Sequence, residues 1–153
     1  MTPFVDVPEE MFDNIIRVNL KGTFLITQAA ARAMTAGNVR DGAIVNISSF
    51  VSKLCPPYRA AYVASKAGLE ALTKVATKEL ASQGIRVNSV LPALTSTPIS
   101  RANRKPDEKN KVLEAIPLKR VCRPEEVAEV IVFLCGPGSS FMTGAAVDIA
   151  GGM

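Results

Sequence analysis

The sequence predicts an α/β protein built on a parallel sheet, and three observations lead there. Short apolar, β-branched runs alternate along the chain with longer segments of helical period, the order that crossover connections in a parallel sheet require. The two clearest runs, "GAIVNIS" at 42–48 and "IRVNSVL" at 85–91, follow turn signals and read as buried strands. At 153 residues, 48% hydrophobic and 21% charged, the chain has the material for one domain with a core of its own.

Each element has a local justification. Residues 7 to 36 form a long helix in which Phe12, Ile15, Ile16, Leu20, Phe24 and Ala31 keep a helical period. Asp6 is its expected N-cap, Glu9 the partner in a capping box, and Gly37 its end. After the strand at 42–48, Pro56-Pro57 marks residues 49 to 59 as a loop. A second helix runs from 60 to 82 and stops at Gly84. The strand at 85–91 ends at Pro92, and the polar stretch 92–111 is a loop or lid, with a short helix near 107–115. Pro124 and the acids after it open a helix that reaches about Leu134, and "AAVDIAGG" at 145–152 is a last short strand.

Composition removes several function classes. The chain has no histidine, which excludes Ser-His, Cys-His and His-metal chemistry and leaves proton transfer to Tyr, Lys, Asp, Glu or Cys. Cys55, Cys122 and Cys135 form no C-x-x-C pattern, so no metal site is expected and a reducing intracellular compartment, cytoplasm or mitochondrial matrix, fits best. The formal charge of +4 is dispersed, a solvated basic face and not a nucleic-acid footprint. No apolar run approaches the length of a membrane span, and the N-terminus has no signal or transit pattern.

One pair of residues then stands out. In "AAYVASKAG", Tyr62 and Lys66 are four apart on a helix and share a face. A free phenol titrates at roughly 10. A lysine ammonium about 4 Å from a phenol favours the phenolate by up to ~4 kcal/mol at an effective dielectric of ~20, before desolvation opposes it. Such a pair is able to exchange a proton near neutral pH. Alone it is also ordinary, since tyrosine packs and lysine snorkels on many helices. Three neighbours give it meaning. Ser49 lies thirteen residues upstream, at the carboxyl end of a strand where α/β sheets bind ligands. Small residues surround Lys66, and Asn19 interrupts the apolar stripe of the first helix. Tyr58 has no lysine four residues on, and Ser48 sits one position early, facing the other way if the strand continues.

With "VNLKG", "IVNISS", "YVASK", "GIRVNSVLP" followed by "TP", "PEEVAEVIVFL", "TG" and the terminal "GG", the chain resembles the short-chain dehydrogenase/reductase family over essentially its whole length. The resemblance implies the C-terminal portion of a Rossmann-like, doubly wound parallel sheet, three visible strands with flanking helices, as a single partial domain over residues 1–153. It implies Tyr62 as general acid/base and Lys66 as the cation that supports the phenolate and holds the cofactor's ribose hydroxyls. Ser49 would hydrogen-bond the substrate oxygen, and Asn19 would hold a water connecting Lys66 to solvent. Pro92, Thr95 and Thr97 would contact the cofactor near its nicotinamide end. The cofactor is NAD or NADP, since the residues that choose between them are absent.

Members of the family open with a T-G-x-x-x-G-x-G turn that seats the pyrophosphate on a helix N-terminus. That motif and the N-N-A-G stretch before residue 1 are missing, so the strand at 42–48 is expected to show an unpaired apolar edge, and the chain alone to be poorly soluble and to bind no dinucleotide tightly. Ala93 stands where the family usually has glycine. Within the family the chain is most similar to the hydroxysteroid-dehydrogenase and 3-oxoacyl-carrier-protein-reductase branches, with hydride moving between NAD(P)(H) and a ketone or secondary alcohol. A dicarbonyl/L-xylulose-type reductase and a truncated, non-catalytic partner subunit stand as alternatives. The family's tetramers pair through the helices at 7–36 and 60–82.

Overall fold

The computed structural model describes residues 2–98, 100 and 112–153. Three strands, β1 (Gly42–Ile47), β2 (Ile85–Pro92) and β3 (Ala146–Ile149), form one parallel sheet in the order β1-β2-β3. Gly42 pairs with Ile85 and Ile47 with Val90, and Ser89 pairs with Ala146 and Pro92 with Ile149. β2 is the central strand. Its Ile85, Val87, Val90 and Leu91 are among the most buried side chains, which is why the run reads apolar on both faces. Among the described residues no strand pairs with the outer edge of β1.

Helices α1 (Glu9–Ile16), α2 (Gly22–Ala36), α3 (Val51–Leu54), α4 (Ala60–Leu80) and α5 (Pro124–Cys135) surround the sheet. Side chains from the strands show which helices share a face. Asn46 of β1 accepts from the Thr27 hydroxyl of α2 at 3.0 Å and donates to Thr73 of α4 at 3.0 Å, so α2 and α4 lie together. Neighbouring Arg86 of β2 turns the other way, into the C-terminal end of α5. Its guanidinium donates to the carbonyls of Leu134 at 2.9 Å, Ser139 at 3.0 Å and Gly136 at 3.3 Å. The Ser139 and Gly136 carbonyls also accept the Met142 and Ser139 amides, so the guanidinium is an added donor that ties the end of α5 to the turn after it.

The structure departs from the sequence expectations at three places. Pro8, with an extended backbone, is the N-cap of α1, and Asp6 closes a separate 3-10 turn, Phe4–Asp6, so the expected capping box does not form. The long first helix is interrupted by a π-helical turn, Arg17–Lys21, in which the Gly22 amide donates to the Arg17 carbonyl. Inside the loop at 49–59 lies one helical turn, α3, ended by Cys55 in the left-handed region. The short helix near 107–115 is described only over 112–115, and residue 99 and residues 101–111 of the polar loop lie outside the described residues.

Candidate active site

The site is built where β1 and β2 end. The ladder continues past Ile47, with the Ser48 amide on the Val90 carbonyl at 2.9 Å and the Phe50 amide on the Pro92 carbonyl at 3.1 Å. Ser49 therefore sits between two backbone anchors. Its own carbonyl accepts from the Ser52 hydroxyl at 2.7 Å, which starts α3.

Tyr62 and Lys66 occupy the first two turns of α4, both half-buried. The Lys66 ammonium donates to the Ile47 carbonyl at 2.9 Å and lies 5.8 Å from the centre of the Tyr62 ring, within cation–π range. Ile47 and Ser48 are thus brought against Lys66, with Ser49 next along the same strand end. Burial pushes the Lys66 amine below its ordinary value. Ser48 is buried and turns onto α4, its Oγ 3.0 Å from the Lys66 carbonyl and 3.3 Å from Glu70 Oε1.

Asn19 lies in the π-helical turn, a device that often marks functional sites. Its Nδ2 donates to Ser65 Oγ at 3.2 Å, and Ser65 donates to the Tyr62 carbonyl at 2.7 Å. Gly68 makes the approach of the two helices possible, since a Cβ there would sit 3.1 Å from Leu20 Cδ2. Ser65 was not among the residues singled out from sequence. Its signal was present: a polar side chain three residues after Tyr62, in an otherwise small, apolar run.

Pro92, Thr95 and Thr97 follow β2 along the same edge. Thr95 forms a bridge with Cys122, held by the Cys122 amide on the Leu94 carbonyl at 3.0 Å and the Ser96 amide on the Cys122 carbonyl at 2.9 Å. The Thr97 amide and hydroxyl are both engaged with Ser100. Glu126 fixes the supporting segment. It accepts from both Arg120 nitrogens at 2.8 and 2.7 Å and from the Arg123 amide at 2.8 Å, and these partners, Arg120 first, hold its carboxyl down to about 2.

Comparison with known proteins places this geometry. A family model described as enoyl-(acyl carrier protein) reductase matches residues 1–153. The chain belongs to this family of short-chain dehydrogenases/reductases. The chain is similar to the (3R)-3-hydroxyacyl-CoA dehydrogenase of Rattus norvegicus, 47% identical over 146 residues, covering 95% of the chain and 55% of that protein. It is similar to the estradiol 17-beta-dehydrogenase 8 sequence of Callithrix jacchus, 45% identical over 136 residues, covering 88% of the chain and 98% of that sequence. The 3-oxoacyl-(acyl-carrier-protein) reductase of Thermotoga maritima is 43% identical over 150 residues, covering 97% of the chain and 59% of that protein. The crystal structure of an NAD+-bound xylitol dehydrogenase superposes with a TM-score of 0.90 at 32% identity, covering 98% of the chain and 63% of that structure. The chain thus spans about half the length of the rat protein and nearly all of the Callithrix sequence. Among these short-chain dehydrogenases/reductases it has an oxidoreductase-type fold, and the xylitol dehydrogenase structure holds NAD+.

The donors present suit one end of such a cofactor. An ammonium and a phenol stand together at the carboxyl edge of a parallel sheet, the place where α/β folds receive a ribose and its ring. Nothing in these 153 residues supplies the glycine turn for a pyrophosphate.

The buried ammonium has a measurable consequence. Lys66 titrates lower in the folded chain than at its ordinary 10.5, so between those values the unfolded chain binds the extra proton and folding gains as pH rises. Below that window the buried charge is a constant cost. Urea midpoints of the wild-type chain and Lys66→Met, compared from pH 7 to 10, should show the wild type gaining on the variant. A difference that stays flat with pH would refute burial as the cause.

Proposed function

We propose that this chain carries the proton-transfer and substrate half of an NAD(P)(H)-dependent oxidoreductase acting on a ketone/secondary-alcohol pair of the 3-oxoacyl or hydroxysteroid type. The observation that supports this most is the Lys66 ammonium lodged between the Ile47 carbonyl and the Tyr62 ring at the carboxyl edge of the sheet. A nicotinamide cofactor, when bound, would be the source or acceptor of the hydride at the carbonyl carbon, and Lys66, Pro92, Thr95 and Thr97 would hold it. Tyr62 gives the proton that the carbonyl oxygen needs as charge develops there, or recovers it from the alcohol. Ser49 donates to that oxygen. Lys66 stabilises the phenolate left behind and holds ribose hydroxyls, and Asn19 holds a water that returns a proton toward Lys66. Pro92, Thr95 and Thr97 border the nicotinamide.

A second arrangement has its own support. Phe24 and Val75 are exposed on α2 and α4 and line an apolar groove of about 500 Å³ between these helices. That face suits pairing with a like-folded chain, in a homo- or hetero-tetramer in which this chain serves as a partner subunit. No helix of the described residues is long and apolar enough to cross a membrane, and Cys55, Cys122 and Cys135 are free, in keeping with a cytoplasmic or mitochondrial-matrix protein.

The test is a fused enzyme: the N-terminal, glycine-turn portion of the rat relative joined ahead of residues 1–153. The fusion should oxidise NAD(P)H with a 3-oxoacyl thioester or reduce NAD(P)+ with a hydroxysteroid, whereas the 153-residue chain alone should bind neither cofactor below micromolar concentration. A folded fusion that turns over neither substrate class, nor a dicarbonyl, would overturn the enzymatic reading in favour of the partner subunit.

A further inference from the structure

We infer that Ser65 is the positioning residue that fixes which way round Asn19 presents its amide beside the Tyr62–Lys66 turn. The inference deepens the proposal above and depends on it for its functional meaning. Ser65 is 0% exposed, and no solvent reaches it to compensate a lost partner. A serine hydroxyl has a single hydrogen. Here it goes to the Tyr62 carbonyl at 2.7 Å, so Oγ is left only to accept.

Asn19 approaches that oxygen at 3.2 Å through Nδ2. Turned over, the amide would set Oδ1 against the lone pairs of Oγ. The polarity therefore passes in one direction, from Asn19 Nδ2 to Ser65 Oγ and from Ser65 to the Tyr62 carbonyl. Asn19 is held at its backbone too, since the Thr23 hydroxyl donates to its carbonyl at 2.8 Å. The side-chain oxygen Oδ1 becomes the atom left to accept. A water held there must donate to it, which gives the proposed relay a defined direction.

The experiment uses the fused enzyme and needs no turnover. The Asn19 side-chain NH2 pair is followed by nitrogen-edited NMR, assigned through loss of the pair in Asn19→Asp. In the wild type it should be protected from solvent exchange. In Ser65→Ala it should exchange about fivefold faster, the factor that one net hydrogen bond is worth. Ser65→Thr, which keeps the hydroxyl, should restore the protection. A purely packing role for Ser65 would shift the melting temperature and leave this NH2 pair unmoved. The inference falls if the wild-type pair already exchanges like a free asparagine, or if Ser65→Ala leaves it unchanged in a folded chain. Failure of the proposed activity appears separately, as absent turnover in the fused enzyme with the Asn19 signature intact.

Discussion

Tyr62→Phe in the fused enzyme is expected to reduce kcat by roughly 10²- to 10⁴-fold, the range that a positioned general acid supplies. The substitution removes one oxygen and keeps the ring that lies 5.8 Å from the Lys66 ammonium. Packing on α4 and the Lys66–Ile47 hydrogen bond therefore survive, and cofactor affinity should stay within about twofold of wild type, well under the ~1.4 kcal/mol of a tenfold change. Tyr58→Phe is the matching control. Tyr58 is 56% exposed, sits at positive φ in the loop before α4, and should leave kcat unaltered. Steady-state kinetics with cofactor titration decide the matter. If Tyr62→Phe keeps a tenth or more of wild-type kcat, another group transfers the proton.

The largest effect on stability should come from Arg86→Met. The guanidinium reaches the carbonyls of Leu134, Gly136 and Ser139 and also the Ser139 hydroxyl at 3.0 Å. Methionine fills much of the space and supplies no donor. The Ser139 and Gly136 carbonyls keep the Met142 and Ser139 amides and Leu134 keeps the Ser139 hydroxyl, so what is lost is the charged donor that joins them. Hydrogen bonds from a charged donor are worth about 1.5–3 kcal/mol net, a sizeable part of the ~5–15 kcal/mol that holds a domain together. At roughly 2–4 °C per kcal/mol for a chain of this size, the melting temperature should drop by about 3–12 °C. Arg86→Lys should fall in between, since one ammonium does not span three carbonyls on two turns. Thermal unfolding of the three chains gives the answer. A methionine variant within ~1 kcal/mol of wild type would show that the charged donor adds little there.

Much of the fold was legible because it is periodic. The runs at 42–48 and 85–91 each ended within a residue of its prediction, but only the second is buried as expected: β1, with no neighbour on its outer edge among the described residues, leaves Ile47 43% exposed. The Ser49, Tyr62 and Lys66 spacing was legible because a strand end and a helix start fix all three in sequence. What stayed hidden depends on partners far along the chain. Ser65 acquires its role from Asn19, 46 residues away, and Arg86 from carbonyls 48 to 53 residues away. The π-helical turn was half visible: Asn19 looked out of place, but no local pattern says that five residues adopt a wider turn. The capping box at Asp6 failed because Pro8 is extended and takes the N-cap position itself. α3 escaped notice because four residues are too few to show a period.

The bond between Lys66 and Ile47 has a consequence for assembly. In a parallel ladder both backbone groups of a residue point to the same side. Since the Ser48 amide bonds toward β2, the Ile47 carbonyl points away from it, out along the open edge of β1. The Lys66 ammonium occupies that carbonyl and so stops the last rung of the edge with a charge. A foreign strand seeking to extend the sheet meets a lysine at the end of the row, which is how natural edges resist indiscriminate stacking. The side chain proposed to support the proton donor thus also caps the exposed end of the edge strand.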